Sequence, residues 1–207
     1  MTQLYTRCIV FFSEYKKVLC IIGMPGAGKT FLVDRLVEEY GFPPIRVGKI
    51  GRSVGEDASN PLSSLVRSYQ SKRLPFPREI ITPLIAVPVR QALERSSIII
   101  VDGAPRTWDM FRALVDIARN CNLLFVHVDI RGEEARRRMS ECVIHRGNRQ
   151  DDADPEIREL GFAAHQTFIA PLFRRLSDAH PADCMRVRGD DDVAVVAESI
   201  VRKFQLI

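Results

Sequence analysis

A chain of 207 residues, 46% hydrophobic and 27% charged, suits one compact α/β domain with a small mobile insert. No apolar run approaches the ~20 residues that span a bilayer, and five scattered cysteines without a CxxC spacing argue against a disulfide framework or zinc site and for a reducing, cytoplasmic setting. The net charge of +4 is modest and lacks basic runs interleaved with aromatics, so DNA is not an expected partner, yet 24 of the 30 basic residues are Arg, whose planar fork matches phosphate oxygens.

Residues 1–17 open with Cys8-Ile-Val-Phe-Phe12, too short for a signal-peptide core and without a small-residue cleavage site. They are expected to form an N-terminal extension or an extra strand. Val18–Ile22 reads as the first strand, and Thr30–Tyr40 as a helix, with Leu32, Val33, Leu36 and Val37 at helical spacing and Gly41 as its stop. Ile45–Val47 is a short strand. Residues 49–77 hold little core and are expected to form a helical insert over the C-terminal edge of the sheet, where ligands bind in such folds. Pro83 and Pro88 interrupt the apolar stretch from Ile80 to Leu93 and predict a kinked or split helix.

Ile98–Val101 and Leu123–Val128 read as central strands and Met185–Val187 as the last. Helices are expected over Trp108–Arg119, Glu133–Cys142 and Pro155–Leu176, with a closing helix after Asp190–Asp192. Short apolar runs alternating with helical patterns predict a parallel sheet covered by helices on both faces.

Gly23-Met-Pro25-Gly26-Ala27-Gly28-Lys29-Thr30 matches the full Walker A pattern between a strand and a helix, the context that motif requires. Glycines let backbone N–H groups turn inward on phosphates, and the helix N-terminus adds partial positive charge. Lys29 is expected at the outer phosphates of ATP and the Thr30 hydroxyl at Mg²⁺. Asp102 leaves the C-terminal end of the Ile98–Val101 strand, the place of a carboxylate that orients the Mg²⁺ shell; its plainer role would be a cap near Thr107. His127, on a strand, reads as a satisfied structural histidine, and Cys20 as packing.

Val101-Asp-Gly-Ala-Pro-Arg-Thr107 closely resembles the DGFPRT signature of adenylate kinases and other nucleoside-monophosphate kinases. The GMPGAGK loop, with Pro25, is similar to that of the same family, and Arg146-Gly-Asn-Arg149-Gln-Asp-Asp152 resembles its lid-edge GRxDD segment. The resemblance implies a P-loop NTPase fold, three-layer α/β/α with a mainly parallel five-stranded sheet. Residues 18–207 would be the kinase domain, with an acceptor-binding insert at 49–77 and a short lid at 143–153. It implies transfer of the ATP γ-phosphate, with Mg²⁺, to the phosphate of a small acceptor, a (deoxy)nucleoside monophosphate. Arg106 and Gly103 would hold the acceptor, and Arg52, in a segment resembling the TGDxxR turn, its phosphate. Arg138 would lie against the donor and Arg149 would touch the transferring group; Arg158 is a looser match. Arg136, Arg137 and Arg138 are consecutive and cannot share one helix face, so at least one is expected in solvent.

The chain also departs from that pattern. Lys49 replaces the acid of TGDxxR, Ala104 the Phe of DGFPRT, and Met110 the amide that reads the acceptor base. Arg158-Glu-Leu-Gly-Phe162 resembles a segment of proteins related to dephospho-coenzyme A kinases, an alternative within the enzyme class. An alternative from another class is an ATP-binding switch or ATPase acting with a protein partner, which would need Lys29, Thr30 and Asp102 but not Arg52 and Arg106.

Overall fold

The computed structural model of the chain describes residues 16–146 and 154–207. Among the described residues five strands form one sheet: β1 (Lys17–Gly23), β2 (Pro44–Arg46), β3 (Ile98–Asp102), β4 (Asn122–Asp129) and β5 (Cys184–Arg188). Their spatial order is β2-β3-β1-β4-β5, and every pairing is parallel. β1 is therefore central, flanked by β3 and β4 in registers that set Ile21 opposite both Asp102 and Val126.

A strand buried on both faces must be apolar along its buried length, and β1 is from Val18 to Gly23. Val18, Cys20 and Ile22 face one layer with Ile99, Val101 and Phe125; Leu19 and Ile21 face the other with Ile98, Ile100, Leu124 and Val126. The first face is covered by α4 (Arg78–Arg95), α5 (Trp108–Ile117) and α8 (Ala170–Ala179). The second is covered by α1 (Lys29–Tyr40) and α9 (Val193–Phe204). Cys20 is fully buried and burial pushes its thiol well up, so it packs as a small apolar residue.

Gly41 ends α1 in the left-handed region, as expected. Helices fall within residues 49–77 as expected: α2 (Val47–Glu56), which takes in the Gly48–Arg52 segment, and α3 (Ser63–Ser71). α4 is not split: it is one helix of 18 residues with Pro83 and Pro88 inside it. Ile80, Ile81, Leu84, Ile85, Val89 and Leu93 are buried along one side, so tertiary packing outweighs the two lost backbone donors. α6 (Gly132–Arg146) and α7 (Pro155–Ala164) stand on either side of residues 147–153. A π-helical turn (His165–Ile169) then joins α7 to α8 where a single α-helix was expected. Among the described residues no helix is long and apolar enough to cross a membrane.

Candidate active site

The Gly23–Thr30 loop leaves the C-terminal end of the central strand and opens α1. Gly26 and Gly28 both take positive φ, 78° and 90°, which a side chain would resist. A Cβ on Gly26 would also stand 2.5 Å from the Ala135 carbonyl oxygen of α6. The loop is thus held from outside: Pro25 packs on Gly161 of α7, and Gly189 in the β5–α9 connection lies against the Ala27 carbonyl. Ala27 is fully buried. The first turn of α1 carries no acidic residue, so its positive end is left for an anion. Lys29 Nζ donates to the carbonyls of Gly23 (2.9 Å) and Met24 (2.7 Å), which folds the ammonium over the loop.

One strand away, Asp102 ends β3 beside the same loop. Gly103 N donates back to Ile21 O at 3.0 Å, and the Ala104–Pro105 peptide is cis. Thr107 caps α5, its hydroxyl accepting from Met110 N at 3.2 Å. Arg106 Nε donates to Gly103 O at 2.8 Å, which turns the guanidinium back toward the strand end. Burial lowers the Arg106 pKa, Asp102 raises it, and repulsion from Arg73 and Arg52 lowers it again. Three guanidiniums and a carboxylate therefore gather where β3 ends. Arg52 and Arg106 were foreseen there; Arg73, just past α3, was not. Nothing local in Lys72-Arg73-Leu74 marks it, because only the path of the α2–α3 hairpin brings it in. Met110 is buried in the core, 1% exposed.

The three consecutive arginines of α6 diverge, as helix geometry requires. Arg136 reaches over to Glu159 (2.8 Å) and lies on the Phe162 ring. Arg137 pairs with Glu134 and Glu141 in solvent. Arg138 turns toward the loop: Nε binds Glu134 and Nη1 donates to Gly189 O, each at 2.7 Å. Its Nη1 lies 4.0 Å from where a Cβ on Gly28 would sit. Hydrogen bonds from Arg137 and Arg138 hold Glu134 down at about 2, so the anchor stays anionic. Arg158 lies on α7. Arg149 and most of the expected lid lie outside the described residues, as do residues 1–15 of the N-terminal extension.

His127 of β4 is not the fully satisfied histidine expected. Its Nε2 lies 3.0 Å from Nε2 of His165 in the π-turn, while neither Nδ1 has a partner among the described residues. Burial pulls both pKa values down to about 4, with His165 adding to the effect at His127 and Lys29 at His165, so the pair is neutral at pH 7.

Residues 22–158 match a family model described as an AAA domain. The chain belongs to the AAA domain family. Curated relatives of this family member are adenylate kinases. That of Agrobacterium fabrum is 25% identical over 191 residues, 89% of this chain and 95% of its own. That of Methylobacterium nodulans is 26% identical over 198 residues, 90% of this chain and 97% of its own. That of Bacillus subtilis is 33% identical over 100 residues, 48% of this chain and 45% of its own. The adenylate-kinase-like kinship expected from the phosphate loop and the DGAPRT segment, the P-loop α/β fold and the phosphotransferase class are borne out.

Proposed function

We propose that this AAA domain protein transfers the γ-phosphate of ATP to the phosphate of a small acceptor, a nucleoside monophosphate. The observation that carries the reading is the gathering of Arg106 and Arg52 beside Asp102, one strand from the phosphate loop. An ATPase switch has no use for guanidiniums on that side.

Gly23, Pro25, Gly26, Ala27 and Gly28 would present backbone donors to the donor phosphates, and Lys29 would leave the loop carbonyls to reach the outer ones. Arg138, tied to Glu134 and to the Gly189 carbonyl, would border the donor. Thr30 and Asp102 supply two hard oxygens, which fit Mg²⁺. That ion takes one or two protein oxygens plus substrate phosphates, so the absence of any cluster of three or more His, Cys, Asp or Glu among the described residues is no obstacle. Mg²⁺ would supply charge neutralisation across the phosphate oxygens. Arg52, Gly103 and Arg106 would seat the acceptor phosphate and cancel the repulsion between two polyanions. Arg149 would add charge at the transferring group. No covalent helper is required: alignment and fixed positive charge carry the reaction. Residues 49–77 would act as the acceptor insert and 143–153 as a lid, within a kinase domain spanning 18–207.

The test is a panel of AMP, CMP, UMP, GMP, their deoxy forms and dephospho-coenzyme A with MgATP, read by product mass. A nucleoside diphosphate is expected from at least one monophosphate. ADP released equally with and without every acceptor would overturn the reading.

A further inference from the structure

Arg46 closes β2 and stands in register with Asp102, the last residue of β3. One residue earlier on each strand, Ile45 and Val101 pack into the layer away from α1. Side chains alternate along a strand, so Arg46 and Asp102 both point to the α1 side. Neighbouring strands lie ~4.8 Å apart, within easy reach of an arginine, so this cation and this carboxylate are placed to meet. The guanidinium goes elsewhere: Arg46 Nη2 donates to Asp34 Oδ1 on α1. Asp34 follows Thr30 by four residues, one helical turn along the same face.

Both side chains of the Asp34–Arg46 pair are partly exposed, so the pair adds little to stability. What it settles is the position of a charge. A guanidinium drawn onto Asp102 would neutralise that carboxylate and repel a second cation arriving there. Mg²⁺ relies on one or two protein oxygens beside the substrate phosphates, so it has few other protein ligands to fall back on. An acid on α1 that engages Arg46 removes the competitor without occupying the metal's place.

Resting on the Mg²⁺ part of the reading above, we propose that Asp34 is a positioning residue that holds Arg46 on α1 and so keeps the guanidinium from competing with Mg²⁺ for the Asp102 carboxylate. Asp34 acts through Arg46 and is not itself a ligand. A strap that merely ties β2 to α1 makes a different prediction, because loss of either partner would then have the same effect.

The experiment uses the full chain and three variants: Asp34→Asn, which keeps the shape and loses the charge, Arg46→Ala, and the two combined. A non-hydrolysable ATP analogue is titrated calorimetrically in EDTA and over a series of Mg²⁺ concentrations. The unaltered protein is expected to bind the analogue more tightly with Mg²⁺ than without. Asp34→Asn should raise the half-saturating Mg²⁺ concentration about fivefold or more, the scale of coupling between neighbouring charges, without weakening binding in EDTA. Arg46→Ala should not raise it, and the double variant should return to within about twofold of the unaltered protein. That recovery separates the assignment from damage to the fold, since the double variant removes both partners. An unchanged Mg²⁺ requirement in Asp34→Asn, equal rises in the two single variants, or no recovery in the double would each overturn the proposal. No effect of Mg²⁺ on the unaltered protein would sink this assignment and the metal site together. The kinase reading fails separately. The expected Mg²⁺ pattern without transfer to any monophosphate would sink that reading and leave Asp34 in its role. Transfer with an unchanged Mg²⁺ requirement in Asp34→Asn would do the reverse.

Discussion

Arg106 carries the sharpest residue-scale consequence. It is tied to Gly103 O and interacts with Asp102, and in the proposed reading it would serve the acceptor while other groups hold the donor loop. Arg106→Ala should lower kcat by about 10³ or more, the range for an arginine that meets transition-state charge, with ATP affinity unchanged in a direct titration. Lys29→Ala, by contrast, should weaken ATP binding itself, and an unaltered ATP affinity would count against the loop assignment. The buried histidine pair predicts a pH dependence. His127 and His165 have folded pKa values near 4, below the 6.5 of an unfolded histidine. Between those values the unfolded chain binds more protons than the folded one. Stability is therefore full above about pH 6.5 and is lost as pH falls toward 4, by up to about 1.4 kcal/mol per pH unit for each group. Urea midpoints measured at pH 7 and pH 5 check this, and His165→Phe should flatten the difference. Arg106 and Lys29 were legible because their motifs are contiguous in sequence. The partner of His127 was not, since His165 is brought to it from another helix by the extra residue of a π-turn.

Element by element, local rules explain the ends of helices better than their middles. Asp192 caps α9, its carboxylate accepting from Ala194 N (2.8 Å) and Val195 N (3.3 Å), as the acidic run before that helix led one to expect. Asp192→Ala should cost about 1 kcal/mol in denaturant unfolding. α4 shows the opposite case. Its two prolines argue for a break, yet the helix runs through them because six large apolar side chains are buried along it. Pro83 is exposed, so Pro83→Ala should restore a backbone donor without disturbing the core and raise stability by about 1–3 kcal/mol, read as a shift in the urea midpoint. The helix that carries Arg52 has a related origin. Val47–Glu56 has no side-chain N-cap and three glycines, poor local credentials for a helix, and it forms through packing against α3.

On the scale of the whole molecule, the amino-acid sequence by itself determined the parallel α/β class, the strands within a residue or two, and the phosphate loop between the first strand and the first helix. Each of these rests on interactions between residues close along the chain: apolar runs, helical spacing, and glycines where the backbone must turn. Only the tertiary structure decided the rest. The order β2-β3-β1-β4-β5 puts β1 in the centre and Asp102 beside the loop, and the hairpin of α2 and α3 carries Arg73 to Arg106. Both depend on which distant segments bury their apolar faces against each other, a choice made by the whole core at once. No short stretch of sequence encodes it.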